Sequence, residues 1–132
     1  MCIRDRLSPC ATADLALVGA QSGQDVAHAM YEAPSLLAYG DEGPYIQALP
    51  GADRVLGGGL TEAMVRFAIR YEYARSVEDV LARRARLLFL DAKLAHSMAD
   101  AVGEIVAQEL PGQDPGTEAF KTLALHYLTL PA

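Results

Sequence analysis

The sequence predicts an all-α fold, a small bundle of three to four main helices behind an irregular N-terminal linker segment. Three observations predict it. Apolar residues recur at the spacing of one helical face in several separate stretches. Those stretches open on helix-starting signatures, so helices are expected to begin near residues 61, 77, 98 and 115. The connections between them are short, and strands are expected only at the front, if anywhere. A chain of 132 residues, 52% of them hydrophobic, is long and apolar enough for one core.

In chain order, residues 10–20 (CATADLALVGA) mix extended and turn signals, with Leu15, Leu17 and Val18 as a short apolar anchor ended by Gly19. Asp25 to Tyr31 suit a short helix that Pro34 interrupts. Leu36, Leu37 and Tyr39 precede Gly40, a helix end on a glycine able to take positive φ. Tyr45, Ile46, Ala48 and Leu49 form another short apolar turn, closed by Pro50-Gly51. Gly57-Gly58-Gly59 then leads into a helix. A glycine loop at a helix start can cradle phosphate, but Glu62 stands where the dinucleotide pattern needs glycine, and its charge would repel an anion. A flexible turn is the plainer expectation.

Leu60 and Val65 are placed to staple the next helix around a Thr61 cap, and Met64, Phe67, Ala68, Tyr71 and Ala74 mark its apolar face. Ser76 with Asp79 forms a capping box for the following helix, where Glu78 and Asp79 also suit the positive end of the dipole. Its face runs through Val77, Val80, Leu81, Leu88 and Ala92, with Arg84 inside it; Asp79 and Arg83 are four apart and can pair. Ser97 with Asp100 reads as another box, opening a helix through Val102, Ile105, Val106 and Leu110 that Pro111-Gly112 stops. Asp114 is expected to cap the last helix, with Pro115 at its first position. Phe120, Leu123, Ala124, Tyr127 and Leu128 share one face there.

The net charge of −6 and a pI near 4.9 argue against a nucleic-acid surface. No apolar run approaches the roughly 18 residues of a membrane span. The opening MCIRDR reads like a translated sequencing adapter, a common artefact of assembled metagenomes, so residues 1–6 are expected to lie outside the fold and the coding sequence to have been cut there. Cys10 is then the lone cysteine, which suits a reducing, cytoplasmic compartment.

The chemistry-bearing residues point to structure. His28, His96 and His126 have no companions at metal-ligand spacing, so no metal site is expected. The acids Glu72, Glu78, Asp79 and Asp91 lie among Arg75, Arg83, Arg84 and Arg86. A carboxylate beside arginine has a lowered pKa and is a poor proton donor near neutrality. Glu72, Ser76, Asp79, Arg83, Arg84 and Asp91 are therefore expected to form ion pairs and caps that tie neighbouring helices together. Arg84 in an apolar face must be paired if it is covered. Tyr71 and Tyr73 are expected to pack against neighbouring elements. No catalytic, cofactor-binding or metal-binding residue is assigned.

The run EYARSVEDVLARRARLLFLDAKLA resembles the helical C-terminal cap domain of FAD-dependent glycerol-3-phosphate dehydrogenases and alpha-glycerophosphate oxidases. The matching residues are Arg70, Glu72, Ala74, Glu78, Asp79, Val80, Leu81, Arg83, Arg84, Arg86, Leu87, Phe89, Leu90, Asp91 and Ala92. Ser76 and Ala85 stand where the family usually has threonine. In the segment like the family's linker, Cys10, Thr12, Leu15, Leu17, Val18, Gly19 and Ala20 match, while Ala11 and Ala16 replace arginine and proline. The resemblance implies a linker over 7–23 from a flavin domain and a cap domain over 24–132. It also implies a parent enzyme that oxidises glycerol 3-phosphate to dihydroxyacetone phosphate on FAD and passes electrons to quinone, or to oxygen in the oxidase branch. The expected partner is the upstream flavin and substrate domain, with a homo-oligomer and a peripheral place at the inner face of the cell membrane as further expectations. The fragment alone is expected to bind no FAD and to be inactive. It should expose an apolar docking patch built from Leu15, Leu17, Val18 and part of the helix from Val65. The competing expectation is a free-standing helical interaction module without catalytic activity.

Overall fold

Thr61 starts the helix on which the rest is stacked. Its side chain accepts from the Met64 amide at 3.2 Å, capping α2 (Glu62–Tyr71) in the expected position. Met64, Val65, Phe67, Ala68 and Ile69 are all buried. The computed structural model describes residues 12, 15, 17–19 and 35–129. The expected helix over 25–31, together with Cys10 and His28, lies outside them.

The described chain is mostly helical, as expected. A 3-10 segment, Leu36–Glu42, is broken at Gly40, which takes φ 56° and so ends the first turn on a glycine. It leads to α1 (Gly43–Gln47), which buries Ile46. After α2 come a π-helical stretch, Asp79–Arg84, then α3 (Leu87–Leu90), the long α4 (Ala92–Glu109) and α5 (Thr117–Leu128). α4 is the central rod, packed chiefly against α5 on one side and α2 on another. Val77, Val80, Leu81 and Leu88 close the core from the π-helical side, and Phe120 and Ala124 from α5.

Several expectations need correction. The triglycine is not a flexible loop but the turn of an antiparallel hairpin, β1 (Val55–Gly57) with β2 (Leu60–Thr61), so strand pairing occurs in mid-chain. Gly58 and Gly59 both have positive φ, the backbone a tight hairpin turn needs. A Cβ on Gly58 would stand 3.1 Å from side-chain carbons of Leu87 and Leu94, so the turn is packed, not free.

The helix from Val77 does not run on to Leu94. The Ala85 amide bonds to Val80 O, an i to i−5 bond, and Arg86 takes φ 57° and breaks the ladder. α4 consequently starts at Ala92, six residues before its expected start near 98. Asp91 caps it, accepting from the Leu94 amide at 2.9 Å. Ser97 sits inside α4 and donates back to Leu94 O at 2.7 Å, as a mid-helix serine does.

The last helix is shifted as well. Gly116 at φ 71° is its N-cap, and Asp114 instead accepts from the Gly116 amide, setting the turn before the helix. Finally, two aromatic expectations fail. Tyr71 and Tyr73 are exposed, and so are Tyr127 and Leu128 at the end of α5. The buried part of the α5 stripe is Phe120 and Ala124, with Leu123 partly covered.

Candidate functional site

The joint between α2 and the π-helical stretch carries the family-like residues. α2 ends in a left-handed turn. The Glu72 and Ala74 amides both bond to Ala68 O, and Tyr73 between them sits at φ 59°. Glycine usually fills such a position; here Arg75 lies over the Tyr73 ring, 4.4 Å from its centroid.

The capping box then forms reciprocally. Asp79 Oδ2 accepts from the Ser76 amide at 3.1 Å, the Ser76 hydroxyl at 3.0 Å and the Arg75 amide at 2.9 Å, while the Asp79 amide donates to Ser76 Oγ at 3.1 Å. Arg83 pairs with Asp79 at 2.9 Å and Glu78 at 2.7 Å. Burial pushes the Asp79 carboxyl up, but the Arg75 amide, the Ser76 hydroxyl and the charges of Arg83 and Arg84 outweigh it, and the net direction is down.

Arg84, expected to be paired if covered, finds its partner at the end of α2. Arg84 Nη2 donates to the backbone carbonyl of Glu72, not to its carboxylate. The π-helical stretch brings Arg84 round to the end of α2, where a capless carbonyl needs a donor. The Glu72 carboxyl is half-buried, and its Oε2 has no hydrogen-bond partner. Burial raises its pKa; Arg84 lowers it and Glu42 raises it further.

The densest ion-pair network lies elsewhere, on residues the sequence reasoning passed over. Glu62 pairs with Arg54 at 2.9 Å and with Arg66; Arg66 pairs with Glu109 at 2.5 Å, and Glu109 with Arg70 at 2.7 Å. Arg66, Glu62 and Glu109 have side chains only 12%, 10% and 11% exposed. This chain of charges joins the hairpin, α2 and the C-terminal end of α4, where arginine also suits the helix dipole. The i, i+4 spacing of Glu62 and Arg66 was the available signal; Glu109, 43 residues away, had none.

Little of this is chemistry for a substrate. Among the described residues no three of His, Cys, Asp and Glu are placed to hold a metal, and no helix is long and apolar enough to cross a membrane. His126 is exposed at the end of α5. A recess of about 240 Å³ is lined by Leu36, Ile46, Gln47, Ala52, Asp53 and Thr61, a small set with one carboxylate. The triglycine turn is packed against α4: a Cβ on Gly57 would meet Met98 Sδ at 2.9 Å.

The expected apolar patch is half present. Leu15, Leu17 and Val18 are exposed, but Val65 is wholly covered. A second exposed group stands at α3 and α5, where Phe89 and Tyr127 meet edge to face at 5.6 Å beside Leu90 and Leu128.

Fold and polar contacts together define a small, mostly helical domain in which arginines and acids fasten helix ends. The chain belongs to the family of the C-terminal domain of alpha-glycerophosphate oxidase, whose model matches residues 10–114. It is similar to the mitochondrial glycerol-3-phosphate dehydrogenase of Schizosaccharomyces pombe, 37% identical over 68 residues, covering 52% of this chain and 10% of that protein. Similar too are probable mitochondrial glycerol-3-phosphate dehydrogenases of Dictyostelium discoideum, 35% identical over 75 residues (53% of this chain, 12% of that one), and Caenorhabditis elegans, 47% over 49 residues (37% and 7%). The chain thus spans about a tenth of the length of the curated relatives it matches. No solved structure matches it.

Proposed function

We propose that this chain serves as the C-terminal helical domain of an FAD-dependent glycerol-3-phosphate dehydrogenase, packed on upstream domains that hold flavin and substrate. The parent enzyme would convert glycerol 3-phosphate to dihydroxyacetone phosphate and deliver electrons to quinone, at the inner face of the cell membrane. The carrying observation is that the family match over residues 10–114 includes the run from Glu72 to Ala95, which is spent on caps and helix joints. The exposed Leu15, Leu17 and Val18 support a covering partner on the linker side.

The upstream reading frame tests this. An in-frame domain with a glycine-rich dinucleotide-binding turn before residue 7 is expected. A stop codon with a ribosome site immediately upstream would overturn the proposal in favour of a free-standing interaction module. The isolated chain should also be colourless; stoichiometric flavin absorption from it would place the cofactor on the wrong domain.

A further inference from the structure

A line of contacts leads from the linker to the end of α2. Gly19 lies against the Leu36–Glu42 segment: a Cβ there would stand 3.3 Å from Tyr39 O. The Tyr39 ring meets Phe67 edge-on at 5.5 Å, and Phe67 meets Tyr71 at 5.0 Å. Leu15, Leu17 and Val18 are exposed at the start of this line, and at its end Tyr71 and Tyr73 are 67% and 75% exposed. Large apolar and aromatic side chains grouped in this way are the mark of a surface that binds something. Tyr73 is the sharpest sign. A bulky residue at φ 59° is strained where glycine would not be. That strained backbone holds out an exposed ring with the Arg75 guanidinium stacked on it, 4.4 Å from its centroid. Arg75 has no carboxylate partner among the described residues. Tyrosine and arginine are the side chains that most often anchor protein interfaces.

We infer that Tyr71, Tyr73 and Arg75, together with Leu15, Leu17 and Val18, form the surface on which the upstream flavin and substrate domain docks. This deepens the proposed function and rests on it. On that reading the chain arrives from the upstream domain through Leu15 to Gly19, so the domain is tethered beside Tyr39 and meets the end of α2 first. The matching face would offer an apolar recess to the tyrosine rings and a carboxylate to Arg75. The other exposed group, around Phe89 and Tyr127, lies at the far end of α4. Glu109, the last residue of α4, pairs with Arg66 and Arg70 of α2. α3 instead leads into the first turn of α4, and α5 runs back along α4, with Thr117 beside Gly103 and Lys121 paired with Asp100 at 2.6 Å. The 18 residues of α4 separate its two ends by about 27 Å. A domain held at the linker therefore covers Tyr71 and Tyr73 and leaves Phe89 and Tyr127 as they are.

The test labels two proteins with hydroxyl radicals and reads the modification residue by residue: the present chain, and the protein expressed from its whole reading frame. Labelling of Tyr71 and Tyr73 should fall several-fold in the longer protein, while Phe89 and Tyr127 label alike in both. Combining Tyr73→Asn with Arg75→Glu should restore Tyr71 labelling in the longer protein; asparagine accepts the left-handed backbone, so the fold is kept. Equal labelling of Tyr71 and Tyr73 in the two proteins overturns the docking surface while leaving the upstream domain in place. Protection that appears at Phe89 and Tyr127 instead moves the contact to the far end of α4 and overturns it equally, as does Tyr71 protection that survives the double substitution. A reading frame with no upstream domain is a different failure: it removes the proposed function, and this surface with it. Should the double variant not fold, the comparison of the two unaltered proteins decides alone.

Discussion

A Cβ added to Gly103 would overlap Thr117 Oγ1, so α4 and α5 meet where one helix has no side chain at all. Two effects compete there. Alanine is about 1 kcal/mol better than glycine inside a helix. Overpacking a tight contact costs about 1–3 kcal/mol, and this one lies in the interior of an 18-residue helix. The clash should win, and Gly103→Ala should destabilise the chain by about 1–2 kcal/mol in urea unfolding. Thr117→Ala removes the offending oxygen, so adding it should recover most of the loss. Strictly additive effects in the pair would show that the two residues do not touch in solution.

The capping box gives a graded series. Ser76→Ala removes one acceptor from the Asp79 amide and should cost about 1 kcal/mol. Asp79→Ala strands two backbone amides and a hydroxyl, along with the Arg83 partner, and should cost about 2 kcal/mol or more. Ser76→Thr keeps the hydroxyl and should be nearly neutral. Denaturation midpoints in that order support the box; equal losses for Ser76→Ala and Asp79→Ala would dissolve it.

Two non-glycine residues with positive φ, Tyr73 and Arg86, make a matched pair for a different comparison. A left-handed backbone costs an L-residue about 1–2 kcal/mol, which glycine avoids. Glycine gives part of that back through the freedom of the unfolded chain. At Tyr73 a second term intervenes, because Arg75 over the ring contributes about 0.5–1 kcal/mol. Arg86 is exposed and has no ion pair among the described residues. Arg86→Gly should thus raise the melting temperature, and Tyr73→Gly should raise it less or leave it unchanged. A drop on Arg86→Gly would mean that its side chain has a partner in solution.

These sites also show what could be read from the chain and what could not. Local rules were legible: the Thr61 cap, the Ser76–Asp79 box and the Asp79–Arg83 pair depend on residues three or four apart. Boundaries failed where two local signals competed. Ser97 and Asp100 have box spacing, yet Asp91 had already capped the helix, and the later serine only bonds backward. Tertiary facts left no local trace. Nothing within a few residues of Glu109 announces Arg66, and no spacing rule foretells an i to i−5 turn that sends Arg84 to a carbonyl. The exposure of Tyr127 was equally hidden, because the spacing that puts it on one face with Phe120 does not say how far the neighbouring helices cover that face.

The Arg66–Glu109 pair makes the last prediction, a dependence of stability on pH. A hydrogen bond from Arg70, assisted by Arg66, pulls Glu109 below its ordinary carboxylate value against the effect of burial. Glu62 is drawn down in the same way, first by Arg66 and then by Arg54. A folded value below the unfolded one means that the stabilisation is complete above 4.5 and disappears as pH falls through the lowered values. Glu109→Gln should therefore cost about 2 kcal/mol near pH 7, where it leaves two arginines without their shared anion. In strong acid, wild type has lost the same charge by protonation, and the two curves should converge. Urea midpoints measured at both ends of that range decide the matter. A gap of equal size in acid would assign the loss to packing around residue 109 and not to its charge.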